Sequence, residues 1–543
     1  MTRVKPGERK RAKAPKVRKS TGRVCDGFDQ RPDVRSLALA HRPSGGAHAS
    51  MGPGGRMSMD GSAAMSTSLS THRMSSSYGD PLEARSLLFF TERTIGQFQA
   101  FFPDDFWNSH VLQFALSQDC IRHALVSLSA HHERYMKPRG VTGPAISSAV
   151  TSTVDADRAF ALKQHNLAIQ SLLACGDPSQ ALHVHLVSCL IFICIEALQG
   201  EIRSAIRLFK HGLSMIEELH RRNTAAAALS SATTSTTSTP PSMSSTTPSA
   251  TDNMSAAPDL LPSPTTPSFS ESIVTAVVAF LNRFAVQVSL LAGDIDPELR
   301  IGVIAGASSK PTLSPTTRFH SLLEARESIL NLAIHVLSGA PGALFGDGFL
   351  ESSVLMLSWW TSAFDRLVEE RGPSLSKRGI ALLELHKRYL AAHLKVPNPS
   401  NNDTRWDAYV DDFSELVSWA EKALQPDIDG KGSLPAQFHM DLGVIPVMFS
   451  TVLRCRDPGV RRRALAVLRN HRLQEGIWDS SLTLRAAERI VMLEDSSVSL
   501  SAAGTRTQPQ RVKSVIVHMD PNEKVATLQY GLEDHMFEEV LDW

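Results

Sequence analysis

Apolar and polar residues alternate with a period of three to four over most of residues 81–495, and the pattern is densest at 181–219. From Leu182 to Ile195 almost every face is apolar. A helix of that kind is either a bilayer span or the centre of a large fold. A span needs roughly 20 apolar residues, and the uninterrupted run here is about half of that. With His183, His185 and Glu196 flanking it, the pattern predicts a core helix. Gly200 can take the left-handed conformation that ends a helix. Beyond it, Ile202, Ala205, Ile206, Phe209, Leu213, Ile216 and Leu219 recur at helical spacing opposite Arg203, Arg207, Lys210, Glu217 and Glu218. That reads as an amphipathic helix folded back on the first. A buried Phe192 in this hairpin implies a cost of about 3–5 kcal/mol for Phe192→Ala.

Similar patterns predict further helices. One starts near Ser117–Asp119, with Ile121, Ala124, Leu125, Leu128 and Tyr135 as its stripe. After a polar loop at about 137–154, another runs over 157–173, with Phe160, Leu162, Ile169, Leu172 and Leu173 expected on the buried side. Others are expected at 273–291, 319–337, 352–368, 379–394 and 406–424. Asp457-Pro458-Gly459 starts one more, with Asp as cap and Pro in the first turn. Its inward residues are Leu465, Val467 and Leu468, and Trp478 anchors it to a following helix with Leu482, Ala486, Ile490 and Val491 buried. Two strands flank Asp520-Pro521-Asn522 as a hairpin. An isolated hairpin is marginal, so it should dock on the helices. The final residues, Glu533 to Trp543, mix acids with large apolars and suit either an activation segment or a docked or frayed tail.

The fold class is therefore all-α, a solenoid-like or bundled multi-helix regulatory domain. It carries a disordered N-terminal linker, an internal Ser/Thr/Pro insertion and a small C-terminal β-hairpin. The expected segments are a basic arm at 1–28, a linker at 29–80, the helical domain at 81–495 interrupted at 223–270, and a spacer, hairpin and tail at 496–543. The linker and the insertion lack the apolar surface needed to offset ordering entropy. The insertion contains Ser-Pro and Thr-Pro pairs open to phosphorylation, but a passive interruption is the preferred reading.

Bulk charge is balanced, with 56 basic and 55 acidic residues among 543, so net charge points to no partner. The six cysteines form no CxxC pair, which suits reduced thiols in an intracellular protein. No apolar run follows the first charges, so neither a secretory signal nor a membrane partner is expected.

Charge is unevenly distributed, however. Residues 1–23 hold ten basic side chains against Glu8 alone. Arg9, Lys10, Arg11, Lys13, Lys16, Arg18, Lys19 and Arg23 are the candidate DNA-contacting residues, through phosphates, or a nuclear-import signal. A solvated tail is the bland alternative. No G-x-S-x-G, H-E-x-x-H, Walker or dinucleotide-binding glycine pattern is present, so the chain is not expected to be an enzyme. His123, His131, His132 and Glu133 are read as helix residues, because adjacent histidines point to different sides of a helix. The glycine-rich loop at 339–348 is a turn, with no GK[ST] after it. Trp359, Trp360, Trp406 and Trp419 are read as packing aromatics. Arg461, Arg462 and Arg463 are read as structural partners of acids such as Glu475, Asp479 and Glu488 in preference to a DNA-binding patch.

Four stretches carry a family resemblance. Ser20-Thr21-Gly22-Arg23-Val24-Cys25-Asp26-Gly27-Phe28 looks like the closing turn of a binuclear zinc cluster. Phe101, Phe102, Asp105, Phe106 and Trp107, followed by Ile121, Arg122, His123, Ala124, Leu128, Ala130, His132, Glu133 and Arg134, form the second. The hairpin at 181–219 is the third. The fourth is 440–495, with Asp441-Leu442-Gly443, Ile445-Pro446, Arg454-Cys455-Arg456-Asp457-Pro458, Arg461-Arg462-Arg463-Ala464, Leu468 and Glu475-Gly476-Ile477-Trp478-Asp479. Together they resemble the fungal binuclear zinc-cluster transcription factors and their fungal-specific transcription factor domain. The resemblance implies a nuclear regulator of RNA polymerase II genes, acting as a homodimer on DNA with transcription machinery or co-regulators as partners, its cluster holding zinc.

The chain departs from that family at the metal. A two-zinc module needs six thiolates, whereas the family's fourth and fifth cysteine positions fall on Pro15 and Arg18, and Cys25 is the one remaining candidate ligand. Either the module has decayed or residues ahead of it are missing, and as written the chain is expected to bind no zinc. Two readings follow. One is a fungal transcription regulator, pathway- or cluster-specific. The other is a helical interaction protein that has lost sequence-specific DNA binding.

Overall fold

The computed structural model describes residues 80–137, 147–175, 182–233, 269–291, 312–337, 347–396, 404–425, 436–496, 511–520, 525–532 and 535–542. The basic arm, Cys25, the linker, most of the Ser/Thr/Pro tract and most of the glycine-rich loop lie outside the described residues.

The helical class is borne out. Helix α1 (Pro81–Phe89) is capped by Asp80, whose carboxylate accepts from the Leu82 amide at 2.9 Å. It runs on through a π turn, Phe90–Thr94, and Ile95–Phe98. A second π turn, Phe106–Val111, leads into α2 (Leu112–Ser117). Then come α3 (Asp119–Met136), α4 (Ser147–Ala174), α5 (Leu182–Gln199), α6 (Ile202–Thr233) and α7 (Phe269–Leu291). The second half holds α8 (Leu322–Leu337), α9 (Asp347–Arg371), α10 (Lys377–Lys395), α11 (Val410–Ala423), α12 (Ile445–Arg454), α13 (Pro458–Asn470) and α14 (Ser480–Ser496). Sequence neighbours pack on one another for most of this run, as a solenoid requires.

The hairpin of α5 and α6 forms as its pattern predicts, with Gly200 at φ 81° ending α5. Leu186, Ile191, Phe192 and Ile193 lie around the whole circumference of α5, and all are buried. Among the described residues two helices, Leu182–Gln199 and Glu271–Leu290, are long and apolar enough to cross a membrane, but both are mostly buried inside the fold. Phe209 of α6 packs on Phe284 of α7 with ring centroids 5.3 Å apart. Asp457 caps α13 by accepting from the Val460 amide at 2.8 Å, and Pro458 sits in its first turn. Trp360 and Trp406 are core residues, and the indole N–H of Trp360 donates to the Ala325 carbonyl at 3.0 Å.

Several expectations need correction. Helix α4 begins at Ser147, within the stretch read as a loop. Its side chains Leu162, Ile169 and Leu173, expected to be buried, are exposed. The buried side is instead Ala161, Gln164 and Ala168, whose short or hydrogen-bonded side chains let α4 lie close on α3. Helix α6 continues to Thr233, so the insertion interrupts the fold later than residue 223.

The C-terminal hairpin has a third strand. β4 (Val512–Asp520) pairs antiparallel with β5 (Val525–Leu532), and β5 with β6 (His535–Asp542), in the segment read as an acidic tail. The Glu539 carboxylate decides its place. It receives the Arg489 guanidinium at 2.6 and 2.8 Å and the Tyr530 hydroxyl at 2.7 Å, while Phe537 stacks on Tyr530. The sheet closes a second core of Leu453, Ala486, Ile490, Val512, Leu528 and Tyr530.

Phe209→Ala removes a fully buried ring from the α6–α7 contact. It should cost about 3–5 kcal/mol by urea denaturation. The same truncation at exposed Met492 should stay within about 0.5 kcal/mol.

Candidate functional site

The block at 437–479 supplies three very short strands and the start of α12. β1 (Gln437–His439) runs parallel to β2 (Leu473–Glu475), which pairs antiparallel with β3 (Trp478–Asp479). Gly476, at φ 54°, makes the turn between the last two, and its amide donates to the His439 carbonyl at 2.8 Å. A Cβ at Gly476 would overlap the Gln287 amide group. That absence of a side chain lets α7 come close. Gln287 donates to the Met440 carbonyl at 2.8 Å, and the Trp478 indole donates to the Gln287 carbonyl at 3.3 Å.

Two buried centres of ionisable side chains flank these strands. In the first, Asp441 accepts from Arg326 of α8 at 2.8 Å and lies 3.4 Å from Arg283 of α7. Glu327 binds both arginines, at 2.8 Å from Arg283 and 2.9 Å from Arg326. Two cations and two anions are thus balanced where an unpaired charge would be prohibitive. Burial would push Arg326 down, but Asp441 and then Glu327 raise it above its ordinary value. Asp104 faces both arginines, yet its carboxyl is raised, because burial outweighs their pull. Glu327 also lines a cleft of about 320 Å³ with Thr312, Leu323, Glu324, Ser328 and Asn331.

The second centre is Glu475. Its carboxyl oxygens accept from the Val444 amide at 2.9 Å and the Ile445 amide at 2.8 Å, closing the N-terminus of α12 from the side. Gly443 has no room for a Cβ against this carboxylate, so the Asp441-Leu442-Gly443 sequence serves both centres. His439 lies 4.0 Å away. The two are not an ion pair, since burial lowers His439 to about 4 and raises Glu475 to about 8.

The aromatic segment closes over the other side of β1. Gln97 accepts from the Phe438 amide at 2.6 Å and meets His132 at 3.0 Å, and His132 bonds Thr94 at 2.9 Å. Phe98 packs edge-on against Phe438 at 5.3 Å and Trp107 at 4.8 Å. The Arg326 guanidinium lies over Phe102 and that of Arg378 over Phe101. His123 is held by Gln164 at 2.6 Å. Among the described residues no group of histidines, cysteines and acids is placed to hold a metal.

The arginine run at 461–463 is structural, with different partners from those expected. Arg461 pairs with Glu494 and donates to the Val452 and Cys455 carbonyls at 3.1 and 2.7 Å. Arg463 binds Glu421 at 2.8 Å, and it is Arg469 that pairs with Glu488. Glu475 is taken by backbone amides, and Asp479 caps α14 by accepting from the Leu482 amide at 2.8 Å. Sequence reasoning missed Arg283, Gln287, Arg326 and Glu327. One signal was there: Arg283 and Gln287 sit one turn apart inside the strongly apolar pattern of α7, where polar side chains require partners.

Part of the chain is similar to known proteins. Residues 87–262 match the fungal specific transcription factor domain. The match covers the aromatic segment and α3 to α6, and stops short of the 440–495 block. The aspercryptin biosynthesis cluster-specific transcription regulator atnN of Emericella nidulans is 29% identical over 116 residues. That similarity takes in 20% of this chain and 19% of the regulator, so about a fifth of that relative's length is spanned. No solved structure matches the chain.

The cysteines of the helical core do not suit the zinc that the family resemblance implies. Thiolates, not thiols, bind the metal. Of the chain's six cysteines, Cys120, Cys189, Cys194 and Cys455 are buried in the helical core. Burial pushes Cys189 up to about 12 and raises the other three as well. Cys25 and the basic arm candidates, Arg9, Lys10, Arg11, Lys13, Lys16, Arg18, Lys19 and Arg23, lie outside the described residues.

Asp441→Ala leaves two buried guanidinium groups with Glu327 as the acid they bond and Asp104 nearby, and should cost about 3–5 kcal/mol in urea denaturation. Glu370→Ala, in the exposed pair with Arg318, should cost at most about 1 kcal/mol. Glu475 gives a pH signature. The unfolded chain releases this proton near 4.5 and the folded chain near 8, so the folded state holds an extra proton between them. Stability from this group therefore falls as pH rises through that window. His386 and His439, both lowered to about 4 chiefly by burial, act oppositely, losing stability as pH falls below 6.5. Between pH 6.5 and 8 wild type should lose about 1–2 kcal/mol relative to Glu475→Gln, and parallel pH profiles would contradict the assignment.

Proposed function

We propose that this chain is a fungal transcription regulator acting in the nucleus, with the helical unit as its regulatory domain. The match of residues 87–262 to the fungal specific transcription factor domain carries the reading. The similarity to a cluster-specific regulator supports it and makes control of one pathway's genes the natural role. The basic arm, Arg9 to Arg23, supplies DNA contacts through phosphates. Phosphate contacts position a protein without reading sequence. Co-regulators or transcription machinery are then the partners through which the helical unit acts.

The cysteine inventory favours one form of this reading over the sequence-reading zinc-cluster form. With four of six thiols in the helical core, sequence-specific recognition through two zinc ions is not expected of this polypeptide. Regulation would then proceed through protein contacts, with the arm adding non-specific affinity.

Two measurements test the proposal. Fused to an unrelated DNA-binding domain at a reporter promoter, residues 81–543 should change reporter output, and an unchanged reporter would count against a regulatory role. In DNA titrations the full chain should bind all sequences alike, with affinity falling steeply with salt and each arm substitution such as Lys10→Ala lowering the salt slope by about 1. Metal analysis should find no stoichiometric zinc. Sequence-selective binding with two bound zinc ions would overturn the non-specific form.

A further inference from the structure

The two outer strands of the C-terminal sheet are guarded differently. β4 has an irregular register between Val512 and Ser514 and carries the exposed Lys513 between them. Both devices discourage a further strand from adding to an edge. β6 has neither. It holds no lysine or proline, and its register with β5 runs unbroken from His535 to Asp542. Among the described residues β6 pairs with β5 alone.

The hairpin register says what the open edge offers. Leu532 and His535 pair across two intervening residues, so theirs is the hydrogen-bonded pair that closes the hairpin. The pattern alternates from there. Phe537, Glu539 and Leu541 exchange bonds with β5, whereas the backbone amides and carbonyls of Glu538 and Val540 point away from it. Side chains alternate between the two faces. Phe537 and Glu539 share the face that meets Tyr530 and Arg489, and Phe537 is still 45% exposed there. Glu538 and Val540 lie on the other face, both exposed, with Glu538 bonded to the neutral Gln529 amide at 2.9 Å.

We propose that β6 accepts an extended peptide of a partner protein as a fourth strand, and that this peptide alternates basic with apolar residues. Its main chain bonds the outward groups of Glu538 and Val540. Its basic residues fall on the Glu538 face, where their aliphatic stems also cover Val540. Its apolar residues continue the row begun by Phe537 and Leu541. Strand addition of this kind takes affinity from the main chain and specificity from alternate side chains. Charge selects against a second copy of this chain as the occupant. Residues 533–543 hold five acids and no lysine or arginine, so two β6 strands side by side would set like charges together.

Fluorescence anisotropy of a short labelled peptide of alternating lysine and valine, titrated with the full chain in low salt, tests this. Wild type should saturate the peptide below about 1 mM, and the matching glutamate–valine peptide should bind at least about tenfold more weakly. Val540→Pro removes one outward amide without touching the bonds to β5, so it should weaken binding at least about tenfold with an unchanged thermal melt. Glu538→Lys should reverse the preference between the two peptides. A wild type that fails to saturate the lysine–valine peptide overturns the proposal. So does equal binding of the two peptides, or a Val540→Pro variant that binds like wild type. Sedimentation of the full chain without peptide should show no association that Val540→Pro removes. Such an association would mean that a second copy takes the edge, and it too overturns the proposal.

Discussion

The Asp441 carboxylate sits where three parts of the chain that are far apart in sequence must meet. It draws in Arg326 from α8 and Arg283 from α7, and Glu327 completes the charge balance. Ionised groups tolerate such burial only when each has its counter-charge in place. Helices α7 and α8 and the 437–445 segment are thereby constrained to one mutual arrangement. The apolar core around them supplies most of the stabilisation. Apolar contact is non-directional, however, and does not by itself choose among the ways a dozen helices can stack.

The second constraint is the Glu475 carboxylate at the start of α12. Two backbone amides hold it, and Gly443 has to lack a side chain for it to approach. Gly476 plays the same part toward Gln287. The short three-stranded sheet made this way presents Phe438 to the aromatic segment, where Gln97, Phe98 and Trp107 close over it. An open solenoid has two free ends. Here residues 90–107 reach the strands at 437–439, so the beginning and end of the helical run share one polar and aromatic centre.

Much of this was legible in the sequence. The all-apolar α5, the amphipathic α6, Gly200 between them and the Asp457-Pro458 start of α13 all follow from local rules, and the structure agrees. The centre did not, for reasons of range and length. Asp441 and Arg326 are 115 positions apart, and β1 to β3 are two or three residues long, too short to show a period. Glu475 was misread because three arginines stand nearby in sequence, while its partners are amides with no sequence signature. The third strand β6 was misread because Phe537 and Leu541 alternate with Met536 and Val540, leaving both faces apolar. In α4 the wrong apolar stripe was assigned to the core. Alanine and hydrogen-bonded glutamine make closer helix contacts than leucine does, and the leucines were left for the outer face.

Residues 437–479 join the two ends of the helical run. Hydrogen exchange followed by mass spectrometry on the full chain, comparing wild type with Glu475→Ala, tests it most directly. The account predicts loss of amide protection at 437–448 together with the aromatic segment 90–107 and the Gln287 end of α7, although Glu475 touches neither of the last two. Loss confined to the first turn of α12, with the aromatic segment unchanged, would contradict it.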